Sequence, residues 1–158
     1  LAVCLVKKNP LETIFQKATE LGVNKIIPLI SERTEVKDIN YERAKKIVIE
    51  ATEQSNQLIP PTISDITKLK NFLESLDQST KLLFADVNSK NNLDIKDFKE
   101  AKSLCVLIGP EGDFTPKERE TILSRTNTIP FSLSNNILRA DTATISAISL
   151  INFVLSDH

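Results

Sequence analysis

The chain of 158 residues has one histidine, His158, and two cysteines, Cys4 and Cys105, far apart in sequence. That scarcity excludes two chemistries. A structural or catalytic zinc site gathers three or four N and S ligands, and no such cluster can be drawn from these residues, so no metal is expected. A nucleophilic triad that needs histidine as its base is missing that base. Both cysteines sit in apolar, strand-like runs and read as buried free thiols of a cytoplasmic protein. There is no excess of positive charge: 20 Lys and Arg face 21 Asp and Glu. The basic balance of a general nucleic-acid binder is therefore absent. Two small clusters, Lys7-Lys8 and Arg43 with Lys45 and Lys46, read as solvated helix faces, or as a local basic face. No apolar run reaches membrane-spanning length, and no charged leader precedes the apolar part of LAVCLVKKNP, so neither a membrane partner nor a signal peptide is expected. Because the chain starts at Leu1, inside an apparent strand, it is expected to be a piece of something longer. Its three glycines make no Gly-rich run, which argues against a nucleoside triphosphate loop.

What is present is concentrated in Leu104–Glu118, LCVLIGPEGDFTPKE. An apolar run, Leu104 to Ile108, stops at Gly109-Pro110, as a buried strand does. A helix start follows. Thr115 can cap it, Pro116 takes the first helical position, and Glu118 stands three residues past the cap, which is a capping box with proline at N1. In α/β proteins the turn after a buried strand is where ligands sit, and glycines there let a ligand approach the backbone. The same letters also suit an ordinary tight turn, with Pro110 fixing φ and Gly112 taking a positive φ.

The remaining pattern alternates strands with helices. Strands are expected at Leu1–Val6, Lys25–Ile30, Lys81–Ala85, Leu104–Ile108 and Asn127–Phe131, with a short extended piece at Thr62–Ser64. Helices are expected from Pro10 to Leu21, ended by Gly22, and from Tyr41 to about Gln57, capped by Asn40 and stopped by Pro60-Pro61. Others are expected at Ile66–Leu76, Leu93–Phe98, Pro116–Arg125 and about Asp141 to Leu155. This is one α/β domain over 1–158, a mostly parallel sheet flanked by helices. Its site belongs beyond the carboxyl ends of the strands, where Asp86–Ser89, Gly109–Phe114 and Ser132–Ala140 converge.

The last of these opens a second motif, LSNNILRADTATISAIS, Leu133 to Ser149. Ser134 to Asn136 is turn chemistry. Arg139 stands at a helix start among apolar neighbours, where an arginine pairs with a carboxylate or holds an anion such as phosphate. Asp141 beside it is a favourable charge for a helix N-terminus.

Four segments together resemble a known family. KATELGV (Lys17–Val23), ATEQSNQ (Ala51–Gln57), IGPEGDF (Ile108–Phe114) with Glu118, and LSNNILRADTA (Leu133–Ala143) are similar, in order, to the signatures of the RsmE family. These are 16S ribosomal RNA (uracil-N3) methyltransferases of the SPOUT superfamily. The resemblance runs along essentially the whole chain. It implies an α/β fold whose C-terminal segment forms a trefoil knot. It implies S-adenosylmethionine held in the knot loops, 16S RNA of the small ribosomal subunit as substrate, and a homodimer built through the knot helices, with Ala143, Ser146 and Ala147 as a small-residue face. Full-length relatives would carry an N-terminal barrel-like (PUA-like) RNA-binding domain that this chain lacks. Asp113, Asn56 and Ser134 stand where the family has glycine, Gln57 and Asn136 where it has arginine, and Asp141 where it has glutamate.

On this resemblance the cofactor contacts are expected from Leu83, Phe84 and Ala85, from Ile108, Gly109, Pro110 and Gly112, from Leu133, Ser134, Asn136, Ile137 and Leu138, and from Ala143. Arg139, Glu111 and Asp141 are the expected catalytic residues. Either carboxylate would accept the N3 proton of uridine, and Arg139 would balance the resulting charge or a flanking phosphate. Glu118 reads as a helix cap, and Gln54 and Ser55 as fold or RNA contacts. Two other readings stay open: a non-catalytic RNA-binding or ribosome-assembly module on the same scaffold, and a different phosphate-ligand enzyme using Gly109–Phe114 as an anion nest.

Overall fold

The computed structural model describes residues 1–156; the expectation attached to His158 lies outside the described residues. Among the described residues, seven strands form one parallel sheet. They are β1 (Ala2–Cys4), β2 (Lys25–Ile30), β3 (Thr62–Ile63), β4 (Thr67–Lys68), β5 (Thr80–Ala85), β6 (Ser103–Ile108) and β7 (Thr128–Phe131). The order across the sheet is β3-β2-β1-β6-β5-β7, with β4 also paired to β2. Four helices lie between strands, α1 (Lys8–Glu20), α2 (Tyr41–Gln54), α3 (Leu69–Ser75) and α4 (Pro116–Ser124), and α5 (Ala140–Ser156) follows β7. None of the described helices is long and apolar enough to cross a membrane.

Strand alternation sorts the core into two layers. Val3, Leu5, Leu83, Val106 and Ile108 face one side, against Ile14 and Phe15 of α1, Val48 of α2 and Ile148 of α5. Ala2, Cys4, Leu82, Phe84, Cys105 and Leu107 face the other, against Leu69 and Phe72 of α3 and Ile122 of α4. Both cysteines are buried and free. Burial pushes the Cys4 thiol up to about 12 and the Cys105 thiol up from its ordinary value.

Several boundaries move, each for a local reason. Helix α1 starts at Lys8 rather than Pro10 and has no side-chain cap. It ends as expected, with Gly22 at φ +89°. Gly22 donates to the Thr19 carbonyl and Val23 to Ala18, both at 3.0 Å, which is the Schellman pattern. Helix α2 stops at Gln54, three residues early, through the same device. Asn56 takes φ +57°, and the Asn56 and Gln57 N–H groups return to Glu53 and Thr52. The prolines at 60 and 61 therefore follow the stop rather than cause it.

The expected helix over 66–76 is the larger difference. Its first part is strand β4, and the reason is Pro28. In β2, Ile27 donates to Leu1 and Leu29 accepts from Leu5, so odd positions face β1. Ile26 accepts from Ser64, so even positions face the opposite edge. Pro28 falls on that edge without an N–H to offer. The pairing strand breaks beside it: β3 pairs with Lys25-Ile26, and β4 resumes opposite Leu29-Ile30. The segment over 93–98 is likewise reduced, to one 3₁₀ turn at Ile95–Asp97.

Two outcomes test this packing. Asn56→Ala is expected to lower stability by about 1 kcal/mol because alanine resists the left-handed region, while Asn56→Gly keeps or raises it; urea unfolding of both variants reads the difference. Because burial raises both thiols, stability is fully present below their unfolded value near 9.0 and falls as pH rises past it, for Cys4 over a window that ends near 12. Accordingly, neither cysteine is expected to react with a thiol reagent at neutral pH until denaturant is added.

Candidate functional site at the carboxyl ends of β5, β6 and β7

The loop after β6 is shaped by three constraints. The first is a turn in which Asp113 N–H donates to the Pro110 carbonyl at 2.9 Å. The positive φ expected at Gly112 lies one residue later, at Asp113, with φ +62°. Aspartate is one of the few L-residues that accept this region.

The second constraint is Phe114, which is buried and meets Phe84 edge-on, with centroids 5.8 Å apart and planes at 67°. A Cβ on Gly109 would come within 3.0 Å of the Phe114 ring. Glycine at 109 thus clears its own loop's aromatic anchor. A Cβ on Gly112 would meet the Arg33 side chain at an ordinary 3.6 Å.

The third constraint is Glu118. The capping box forms as expected, with Glu118 N–H on Thr115 Oγ1 at 3.2 Å and Thr115 N–H on Glu118 Oε1 at 3.0 Å. Glu118 Oε2 also accepts from Glu32 N–H at 3.1 Å. Arg33 Nη1 donates to the Gly112 carbonyl at 3.0 Å. The stretch after β2 therefore clamps the stretch after β6, a contact that no local pattern in the sequence announces.

Behind the loop, Asp86 at the end of β5 is 3% exposed and pairs with Arg119 of α4. Arg119 Nε lies 3.1 and 3.2 Å from its two oxygens, and Nη2 lies 2.8 Å from Oδ2. The Asp86 N–H donates to Phe131. One residue thus ties β5 to β7 through its backbone and to α4 through its carboxylate. The pair was missed because Asp86 and Arg119 are far apart in sequence.

These anchors frame a cleft of about 300 Å³. Ala85, Ile108, Gly109, Pro110, Gly112, Leu133, Ser134, Asn136, Ile137, Leu138 and Ala143 all line it, as the sequence suggested. Leu83 and Phe84 do not. They lie one and two residues deeper in β5 with their side chains in opposite core layers. The expected catalytic residues gather next door. Glu111, Arg139 and Asp141 line a groove of about 740 Å³ together with Lys7 and Lys8, and Glu111, Ile137 and Leu138 are common to both spaces. Arg139 Nε is 3.5 Å from Asp141 Oδ1. That is ion-pair distance without a hydrogen bond, and Asp141 Oδ1 is buried with no hydrogen-bond partner.

Ser55, read as a fold or RNA contact, makes scaffold bonds, as does Gln57. Ser55 Oγ closes the end of α2 on the Ala51 carbonyl at 2.7 Å. Gln57 Nε2 donates to the Thr19 carbonyl at 2.7 Å and joins the ends of α1 and α2.

The two loop glycines are expected to behave differently. Gly109→Ala displaces the Phe114 ring and costs about 1–3 kcal/mol as an overpacked site, whereas Gly112→Ala leaves stability unchanged. Thermal unfolding of both variants checks this, and equal effects would contradict the assignment.

Residues 1–152 match the family described as the RNA methyltransferase domain. A small-subunit ribosomal RNA methyltransferase E of Rickettsia conorii is 38% identical over 161 residues, covering 100% of this chain and 65% of the relative. A solved small-subunit ribosomal RNA methyltransferase E from Neisseria gonorrhoeae, bound to S-adenosyl methionine, superposes with a TM-score of 0.86 at 27% identity. That match covers 97% of this chain and 65% of the other. The A. aeolicus TrmH/SpoU tRNA modifying enzyme shares the fold, with a TM-score of 0.59 at 15% identity over 99% of this chain and 74% of the other. The chain spans just under two thirds of the length of the first relatives it matches. An all-parallel sheet, a cleft at its carboxyl edge and a match along nearly the whole length agree: this chain belongs to the RNA methyltransferase domain family.

Proposed function

We propose that this domain binds S-adenosylmethionine in the cleft and methylates uridine N3 in 16S RNA of the small ribosomal subunit. The observation that carries the reading is the cleft itself. It lies where parallel α/β sheets take ligands, and the cofactor-bound relative superposes over 97% of the chain. The lining suits the cofactor. Apolar walls from Ile108, Leu133, Leu138 and Ala143 surround the backbone of two loops, and about 300 Å³ is at the small end of ligand sites. The trefoil knot, a homodimer through α5, a cytoplasmic location and a further RNA-binding domain belong to the same reading.

When bound, S-adenosylmethionine supplies an already activated methyl group, so the protein's share is positioning and proton handling. The uridine N3 proton must leave as the methyl arrives. Either carboxylate can take it: Asp141 Oδ1 is engaged by no hydrogen bond, and Glu111 is exposed in the same groove. Arg139, 73% exposed at the side chain and 3.5 Å from Asp141, sits where it can offset the charge on the uridine ring.

Calorimetric titration with S-adenosylmethionine, with ATP as control, is expected to saturate near one per chain. A folded chain that binds none would favour the non-catalytic RNA-binding module. Arg139→Ala is expected to leave that titration nearly intact and to reduce methylation of small ribosomal subunits by about 10²-fold or more. Equal loss of cofactor binding would remove Arg139 from the catalytic role.

A further inference from the structure

The sheet has a switch point between its neighbours β1 and β6. The connection after β1 leaves toward β2, and the connection after β6 leaves toward β7, on the opposite side. Such a point opens a crevice at the carboxyl edge. The groove of about 740 Å³ lies there, between Lys7 and Lys8, which follow β1, and Glu111, which follows β6. Its charges are not evenly placed. Three cations, Lys7, Lys8 and Arg139, line it against two carboxylates, Glu111 and Asp141. Arg139 is already matched with Asp141. Lys7 and Lys8 are exposed and take part in no ion pair among the described residues. Glu12, one helical turn past Lys8, is engaged instead by Arg43 at 2.9 Å.

The groove also leads somewhere. Ile137 and Leu138 are shared with the cofactor cleft, and Ile137 is 91% exposed. An exposed isoleucine lining the same groove as a paired charge and two free lysines is an apolar shelf of the kind a nucleobase can lie on, with its backbone phosphates reaching the cations. On a chain of net charge −1, RNA gains little from the whole-molecule field, so its phosphates need local partners.

Resting on the methyltransferase reading, we propose that Lys7 and Lys8 hold backbone phosphates of the RNA strand on either side of the target nucleotide. They bind and orient the strand; the chemistry stays with the residues across the groove.

Salt dependence tests this. Each phosphate contact on single-stranded nucleic acid steepens the fall of log affinity with log salt by about 0.7. For a uridine-containing single-stranded oligoribonucleotide, Lys7→Gln with Lys8→Gln is expected to reduce that slope by about 1.4. S-adenosylmethionine binding by the same variant should be unchanged. Lys45→Gln with Lys46→Gln removes the same charge from exposed positions of α2 and is expected to leave the slope as it was. An unaltered slope in the first variant, or an equal reduction in the second, overturns the proposal. Failure of the unaltered chain to bind S-adenosylmethionine is a separate result. It would sink the methyltransferase reading, while the salt slopes would still decide the two lysines.

Discussion

Everything at the carboxyl edge of this sheet depends on how one loop, Gly109–Thr115, is held. A turn after a buried strand exposes carbonyl and N–H groups that need fixed partners. Here Phe114 seats the loop in the lower core layer, and Glu118 ties its end to both Thr115 and Glu32. Arg33 takes the Gly112 carbonyl. Because one carboxylate serves the cap of α4 and the stretch after β2, helix and loop cannot move independently. The cleft wall inherits that rigidity, which is what a site that works by positioning needs.

Asp86 extends the same logic to the neighbouring strands. A carboxylate that is 3% exposed has lost most of its water and persists because Arg119 returns a bidentate pair and Asn88 N–H adds a third donor. Such a pair is poor evidence for stability in itself. Its value is geometric. It fixes the end of β5, which hydrogen-bonds β7 through Asp86 N–H and Phe131, to the helix that follows β6. The ends of β5 and β7 and the start of α4 are thereby held together at the site.

Much of this was legible from the sequence because it is local. The capping box, the Gly22 terminus and the strand at Lys25–Ile30 are each set by residues within a few positions of one another. Eleven of the thirteen expected cleft residues line the cleft, since the motifs that suggested them are the loops that form it. What stayed hidden is long-range. Pro28 breaks its partner strand across the sheet, which cuts the expected helix over 66–76 at its start. Gly109 clears a ring five residues away that only the folded turn brings back over it. Leu83 and Phe84 fall short of the cleft because β5 runs to Ala85 before the chain turns. Arg33 and Arg119 look like ordinary surface charges until the sheet order sets them beside Gly112 and Asp86.

The replaced residues follow from the same geometry. Asn56 and Asp113 both occupy left-handed positions, and Asn and Asp are the non-glycine residues that tolerate these best. They conserve backbone shape while adding polar side chains. Gln57 keeps a donor but aims it at the end of α1, so its amide is spent on the scaffold rather than offered to a phosphate. Asn136 likewise brings no charge to the loop after β7. Positive charge at the carboxyl edge of the sheet comes instead from other segments. The groove at the β1–β6 switch point supplies it through Lys7, Lys8 and Arg139. A near-neutral chain can in this way present RNA with a local field whose sign the total charge does not reveal.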